Sequence, residues 1–218
     1  MDLRRLVLPY SYRTIRRRLS CSDEIRVLDI GCGSDMPEIA RRAFSRCTYH
    51  GLDIAEPKPD ALRHIDRFFR LDLTTADFAD IEDGYYDVIL MSHVIEHITN
   101  GERVIQALAP KLKPQGIMFV EFPSVRSLGL PSGTGTLQFC DDETHVRVYE
   151  ISEVANTMLR AGLVVVNAGT RRDWVRIALA PAAIPLQILN LLTIGRLHAR
   201  GLWDILGFAS FVMAVRKA

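Results

Sequence analysis

The chain has 218 residues, of which 48% are hydrophobic and 24% are charged, as in ordinary globular domains. This composition excludes extended disorder, and the length suits one domain with a modest insertion. The 27 Lys and Arg against 26 Asp and Glu leave a net charge of +1, which disfavours nucleic acid as a partner. Since the four cysteines show no CxxC spacing and no long apolar run opens the chain, we expect a cytoplasmic protein.

Residues 1–24 form a basic lead-in. Before position 19, apolar residues alternate with six arginines, namely Arg4, Arg5, Arg13, Arg16, Arg17 and Arg18. Pro9 breaks any long helix in this stretch. We favour a solvated segment that packs on the domain, and contact with a membrane or a substrate is the alternative.

From residue 25 to residue 218 we expect a single domain, in which β-rich apolar runs alternate with helical patterns. The predicted strands are 25–30, 49–54, 69–73, 86–91, 117–122, 163–168 and 208–215. The predicted helices are 36–44, 60–68, 92–112 with a break near Asn100, and 151–161. This alternation predicts a doubly wound, Rossmann-like α/β fold with a mostly parallel seven-stranded sheet whose last strand is antiparallel.

Two segments lie outside this alternation. Residues 124–150 begin with a long stretch rich in Gly, Ser, Pro and Thr, and we expect them to form a loop over the active site. Residues 173–206 read as an apolar helical insertion between the last two strands. Their uncharged core, 177–195, is almost long enough to span a bilayer, but Pro181 and Pro185 interrupt it. A lid, a surface for homodimer formation and a patch in peripheral contact with a membrane remain open as its role.

The most informative stretch is 27–33 (VLDIGCG), in which a buried strand ends at two glycines. Glycines there permit a tight turn and close approach of the backbone to a ligand. Asp53 ends the second strand 20 residues after Gly33, a separation at which an acid accepts hydrogen bonds from ribose. Asp72 ends the predicted third strand, where it can meet an adenine amino group. A dinucleotide-binding dehydrogenase is disfavoured, because Met36 stands where its third glycine is needed.

The motifs VLDIGCG, GLDI, RLDL, YDVILMSHVIEHI and LKPQGIMFVEFPS occur in this order. Together they resemble the class I S-adenosylmethionine-dependent methyltransferases, in particular their broad small-molecule, lipid and sugar branch. The resemblance covers roughly residues 25–168 and the last strand. It implies S-adenosylmethionine as the cofactor, no metal, and a small or lipid-linked methyl acceptor. The cofactor positions that it implies are Asp29, Gly31, Cys32, Gly33, Asp53, Ile54, Asp72, Leu73, Ser92 and His93.

One position departs from the family pattern, since Asp35 stands where a third glycine is common. We favour a helix-capping carboxylate at Asp35. The alternative is an ion pair with the amino group of the cofactor.

Histidines supply the candidate catalytic groups. Residues 93–97 spell H-x-x-E-H, which has zinc-peptidase meaning on a helix with a further ligand. Because the motif directly follows a buried strand, we expect no metal there. His93 and His145 are the candidate bases, since imidazole titrates near neutrality, and a loop-pinning role is the alternative for His145. Transfer to an acceptor oxygen is therefore preferred, and a catalytically silent fold that binds the cofactor or a partner is the second hypothesis.

Overall fold

The structure is a computed structural model that describes residues 8–19, 24–75, 77–130, 138–174 and 205–218, with scattered positions between 177 and 193. Its helices are α1 (Tyr10–Arg16), α2 (Met36–Ala43), α3 (Pro59–Leu62), α4 (Gly101–Leu108) and α5 (Ile151–Arg160). Its strands are β1 (Ile25–Ile30), β2 (Cys47–Asp53), β3 (Arg67–Arg70), β4 (Tyr86–Ser92), β5 (Leu112–Pro123), β6 (Leu163–Thr170) and β7 (Ala209–Arg216).

The seven strands form one sheet in the order β3-β2-β1-β4-β5-β7-β6. The first five strands in this order are parallel, and β7 lies antiparallel between β5 and β6. This confirms the predicted fold, including the antiparallel last strand. The strand order reverses between β1 and β4, and open sheets of this kind bind ligands at the carboxyl ends of the strands beside such a reversal.

Both faces of the sheet are covered, as a buried parallel sheet requires. Alternate residues of β1 face opposite sides: Leu28 packs in the core that contains Val104 of α4, whereas Val27 packs in the core that contains Ala40 of α2. Helix α1 belongs to the second core through the buried Ile15. An ion pair between Arg13 and Asp173 also ties α1 to the segment after β6.

The prediction for the stretch between β2 and β3 is wrong in its boundaries. Helix α3 ends at Leu62, and residues 67–70 form β3, so a helix over 60–68 and a strand over 69–73 are not found. Arg67 pairs with His50 in register along β2, and this ladder overrides the local preference for helix. Asp72 consequently lies in the loop after β3 and not at a strand end.

The predicted helix over 92–112 is found only after its predicted break near Asn100, where α4 begins at Gly101, and the part before the break is wrong. His93 has a left-handed backbone (φ 56°), and its N–H donates to the Glu121 carbonyl at 2.8 Å. This bond holds the chain against β5 for one more residue, so a helix cannot begin. A 3₁₀ turn follows at Ile95–His97.

The long loop and the insertion are described only in part. Residues 131–137 and most of 173–206 lie outside the described residues, and the scattered positions of the insertion that are described, such as Ile177 and Ile188, are helical. Trp174, at the start of the insertion, is 72% exposed. Of the part of the chain that the structure describes, no helix has the length and apolarity to cross a bilayer.

Gly116, in β5 beside the start of β4, generates a prediction about stability. A Cβ at this position would lie 2.9 Å from the carbonyl oxygens of Lys113 and Tyr86, which are backbone atoms and cannot rotate away. We expect Gly116→Ala to lower the free energy of unfolding by about 1–3 kcal/mol, as measured by urea denaturation. Gly129→Ala, which adds its methyl group in open space, is the matched control. Equal free energies of unfolding for the two variants would contradict the predicted steric clash at Gly116.

Candidate active site

A pocket of about 420 Å³ lies at the carboxyl ends of β1, β2 and β4. This volume is within the range of small-molecule sites. Six residues of the set implied by the sequence line it, namely Gly31, Asp53, Ile54, Asp72, Leu73 and His93. Asp29, Cys32, Gly33 and Ser92 do not line it. The pocket thus brings together residues from four separate motifs.

Six further lining residues were missed by the sequence analysis, namely Leu52, Leu71, Thr74, Val94, His97 and Ile98. Most of them are apolar. Val94 and Ile98 fit the core face of the helix that was expected at 92–112, so their pattern carried no signal of a pocket. Leu52 and Leu71 directly precede Asp53 and Asp72, and Thr74 directly follows Leu73. This adjacency in sequence is the signal that could have identified them as lining residues.

The turn after β1 closes over the end of β2. The N–H of Gly31 donates to the Leu52 carbonyl at 2.7 Å, and Cys32 donates to the same oxygen at 3.3 Å. Gly31 has φ 69°, and a Cβ there would lie 2.3 Å from Cγ2 of Val94. The missing side chain therefore lets Val94 form the pocket wall. Burial raises the pKa of the Cys32 thiol to about 12, which leaves it a filler and not a nucleophile.

Asp53 is held in a fixed orientation at the end of β2. Its Oδ2 accepts a hydrogen bond from Gly33 N–H at 3.0 Å, and its Oδ1 accepts from Ala55 N–H at 3.2 Å. Each carboxylate oxygen retains a second lone pair. The carboxylate can therefore accept hydrogen bonds from two adjacent hydroxyl groups of a ligand.

Asp72 directly precedes a 3₁₀ turn, Leu73–Thr75, on the other side of the pocket. Asp72 Oδ1 accepts from the Thr74 N–H at 2.8 Å and from the Thr74 hydroxyl at 2.7 Å. These two hydrogen bonds lower the pKa of Asp72, so it is ionised at neutral pH. Leu73 is buried and supplies an apolar wall beside that carboxylate.

Asp29 is buried beneath the turn, away from the lining. Its Oδ2 accepts hydrogen bonds from the hydroxyls of Tyr49 at 2.7 Å and Tyr12 at 3.3 Å. Burial raises the pKa of Asp29 to about 7, although the bonds from Tyr49 and Tyr12 oppose the rise. The side chain thus links β1, β2 and α1.

The side chains of Asp35 and Ser92 make other contacts than the sequence suggested. Asp35 occupies the N-cap position of α2, but its side chain makes no capping hydrogen bond, so the preferred interpretation of Asp35 as a cap is wrong. Ser92 ends β4, with its Oγ 3.5 Å from Oε1 of Glu121. This places Ser92 beside a buried charge cluster.

That cluster joins the ends of β4, β5 and β6. Nδ1 of His93 lies 3.2 Å from Oε1 of Glu96, and its Nε2 lies 3.3 Å from Oε1 of Glu121. Arg171 binds the same Glu121 oxygen at 2.7 Å. Both carboxylates are buried. A buried charge needs such partners, because desolvation disfavours an isolated ion.

The partners set the protonation states in this cluster. Burial raises the pKa of Glu121, but the Arg171 guanidinium and then His93 outweigh it and bring the pKa to about 2. Burial lowers the pKa of His93, whereas hydrogen bonds to Glu121 and Glu96 overcome it and raise the pKa to about 9. With both ring nitrogens facing carboxylates, His93 is poorly placed to take a proton from an acceptor.

A second, smaller pocket of about 140 Å³ shares His93 and His97 with the first. Glu96, Asp142 and His145 also line it. His145 Nδ1 donates to the Phe139 carbonyl at 2.7 Å, which pins the loop as the alternative interpretation expected. The other ring nitrogen, Nε2, lies 3.8 Å from Oδ2 of Asp142. His145 therefore combines the pinning role with an atom that can meet a ligand.

Comparison with known proteins decides the family. The family described as the methyltransferase domain matches residues 4–168. The chain belongs to the class I S-adenosylmethionine-dependent methyltransferases. This methyltransferase is 35% identical over 106 residues to the ubiquinone biosynthesis O-methyltransferase of Bartonella tribocorum, a match covering 45% of the chain and 41% of the relative. The chain thus spans less than half the length of that relative.

Solved structures support the same fold. A S-adenosylmethionine-dependent methyltransferase from Mesorhizobium loti matches with a TM-score of 0.62 and 15% identity, covering 97% of this chain and all of the other. The [4+2]-cyclase SpnF matches with a TM-score of 0.62 and 16% identity, covering 95% of this chain and 81% of the cyclase. Because one of these proteins is named a cyclase, the fold by itself does not identify the reaction of this methyltransferase.

Asp29 generates a prediction on the pH dependence of stability. Its pKa is raised in the folded protein, so its full contribution to stability is present below about pH 4, the pKa of an unfolded aspartate, and is lost as the pH rises to about 7. Between pH 5 and pH 8 this group should therefore lower the free energy of unfolding by about 2–3 kcal/mol.

Asp29→Asn keeps an oxygen that accepts from the tyrosines but removes the ionisation. Urea denaturation of both proteins at pH 5, 6, 7 and 8 measures the difference. We expect the stability of Asp29→Asn relative to the parent to increase with pH. A constant difference across that range would show that the carboxylate does not titrate there.

Proposed function

We propose that this protein transfers a methyl group from S-adenosylmethionine to an oxygen atom of a small, sugar or lipid-linked metabolite. The main support is the oriented Asp53 carboxylate at the end of β2, facing a pocket beside the strand-order reversal. The name of the Bartonella tribocorum relative supports oxygen as the acceptor atom.

The lining fits the parts of the cofactor. We propose that the ribose hydroxyls bind Asp53, with Ile54 beside them, and that the adenine lies between Leu73 and Asp72. The methionine part then lies along Gly31 and Gly33. Open space surrounds the missing Cβ of Gly33, which leaves room for close approach of a ligand to the backbone. Asp29, Cys32 and Ser92 contribute by supporting the turn and the end of β4.

The bound cofactor supplies an electrophilic methyl carbon on a positively charged sulfur. The acceptor oxygen would take up this methyl group, S-adenosylhomocysteine would be released, and the hydroxyl proton would pass to Nε2 of His145. Orientation and exclusion of water are the main requirements for this displacement. The apolar lining residues Val94 and Ile98 exclude water. His93, which lines both pockets, orients the cofactor and the acceptor.

We propose that the acceptor enters from the smaller pocket, where His145 and His93 act differently. Nε2 of His145 is the atom suited to meet the acceptor oxygen, because Nδ1 already donates to Phe139. His93 positions the wall between the pockets through Glu96 and Glu121. We therefore assign the role of base to His145 and a positioning role to His93.

The cofactor site is tested by calorimetric titration of S-adenosylmethionine and S-adenosylhomocysteine into the purified protein. We expect one site per chain. Asp53→Ala removes the ribose acceptor and should weaken binding by about tenfold or more, as expected for loss of charge-assisted hydrogen bonds. Gly31→Val places side-chain atoms on Val94 and should abolish binding. Asp60→Ala, which changes an exposed aspartate of α3, is the matched control and should bind normally.

Turnover separates the two functional hypotheses. A labelled methyl donor offered with extracts and with simple phenols and sugars should yield a labelled product and S-adenosylhomocysteine. Binding without any transfer would favour the catalytically silent alternative. Absence of binding by well-folded parent protein would overturn the proposed function itself.

We also propose peripheral contact with an anionic membrane surface near α1 and the start of the insertion. Arg17, Arg18 and Trp174 are exposed there, a combination typical of interfacial segments. Sedimentation with phosphatidylglycerol vesicles should capture the protein, and the double change Arg17→Glu and Arg18→Glu should reduce capture several-fold. Arg63→Glu in α3 is the control. Equal capture by neutral phosphatidylcholine vesicles would contradict the proposal that the arginines bind the membrane through its negative charge.

A further inference from the structure

We propose that Glu96, His97 and His145 form a binding site for a divalent transition-metal cation in the smaller pocket. One oxygen of Glu96 and one ring nitrogen of each histidine lie within 4.8 Å of one another. These residues come from the H-x-x-E-H motif and from the end of the long loop. Binding of the cofactor does not explain the Glu96 carboxylate of that motif, because Glu96 does not line the cofactor pocket.

The strongest observation is the state of the Glu96 carboxylate. Its side chain is 1% exposed and lines the smaller pocket. Oε1 faces Nδ1 of His93, but Oε2 is buried with no hydrogen-bond partner among the described residues. A buried carboxylate oxygen without a partner carries a desolvation cost that a cation would remove. This observation is independent of the spacing of the three side chains.

Both histidines are oriented in the manner of metal ligands. Nδ1 of His97 lies 2.9 Å from the Thr144 hydroxyl, and Nδ1 of His145 donates to the Phe139 carbonyl. The two Nε2 atoms are the remaining ligand atoms, and Nε2 of His145 lies 3.8 Å from Oδ2 of Asp142, which also lines the smaller pocket. Metal-binding histidines commonly engage their second ring nitrogen in this way, which fixes the tautomer and the direction of the ring.

The backbone holds the two halves of the site together. The carbonyl oxygen of Glu96 accepts from the N–H groups of Val146 at 2.9 Å and Arg147 at 3.2 Å. Arg147 in turn forms ion pairs with Glu102 and Glu153. The loop that carries His145 is thus fixed to the 3₁₀ turn that carries Glu96 and His97, so the cost of ordering the ligands is already met by the fold.

The donor set selects the class of cation. Two imidazoles and one carboxylate suit zinc or a similar transition metal with an open coordination position, whereas Mg²⁺ and Ca²⁺ prefer oxygen ligands. Zinc ligands at about 2.0–2.1 Å from the metal stand about 3.4 Å apart. The separation of up to 4.8 Å therefore closes by a small rotation of the side chains.

The position of the site suggests what the cation does. The smaller pocket shares His93 and His97 with the cofactor pocket, so a cation there stands on the acceptor side. A bound cation lowers the pKa of a coordinated hydroxyl group. In the cation-bound protein Nε2 of His145 binds the cation and the acceptor proton is released to water, so the base role that we propose for His145 applies to the cation-free protein. This role rests on the proposed function, whereas cation binding does not.

The test is calorimetric titration of Zn²⁺ into tag-free full-length protein that has been treated with EDTA. We expect one ion per chain. His145→Ala and Glu96→Gln should each weaken binding by about tenfold or more. Co²⁺ should give a visible absorption spectrum in the parent protein that both variants lose. Far-UV circular dichroism and S-adenosylhomocysteine binding establish that each variant is folded.

Two controls remove groups of the same type elsewhere. His64→Ala changes a histidine that lines neither pocket, and Glu143→Gln changes an exposed acid of the same loop. Both should bind Zn²⁺ as the parent does. No Zn²⁺ binding by the folded parent, or equal affinity in His145→Ala, Glu96→Gln and the controls, would overturn the proposal. Cofactor binding without Zn²⁺ binding would overturn it while leaving the proposed function intact.

Discussion

The register of β1 between its two neighbours is the constraint on which the site depends. In the parallel ladders Ile30 pairs with Leu52 of β2 and with Met91 of β4. The residues that follow these three therefore emerge at one level of the sheet, and they are Gly31, Asp53 and Ser92. A slip of one residue in either ladder would turn the next side chain to the opposite face. The Asp53 carboxylate meets Gly33 because this register is kept.

The same register explains which parts of the site were predictable. Gly31 and Asp53 follow buried strands whose ends are visible in the sequence, so parallel pairing brings them together. Asp72 was placed at a strand end because local preference favoured helix over 60–68, yet pairing with β2 began the strand at Arg67. The residue remains at the pocket since a short loop connects it to the strand. The position of Asp72 therefore depends on the pairing of β3 with β2 and not on the local sequence.

The charge cluster and the Asp29 contacts could not be predicted in the same way. Arg171 and Glu121 are 50 positions apart, and Tyr12 and Asp29 are 17 apart across a segment of uncertain pattern. Each pair depends on which strands or helices become neighbours. The sequence predicts that the H-x-x-E-H motif directly follows a buried strand and begins a helix, but the left-handed backbone of His93 divides the motif. His93 contacts Glu121 before the 3₁₀ turn, and the turn itself carries Glu96 and His97.

That division gives His93 and Glu96 separate tasks at the wall between the pockets. His93 lies between two buried carboxylates, and Glu121 is already neutralised by Arg171. Breaking such a buried pair usually costs several kcal/mol, because the remaining ion is left unpaired. The cluster is therefore a rigid support for the acceptor side. Glu96 differs from Glu121 in that no guanidinium of the described residues reaches it, and in that Glu96 lines the smaller pocket whereas Glu121 lines neither pocket. The smaller pocket consequently offers negative charge at the place where an incoming acceptor must be oriented.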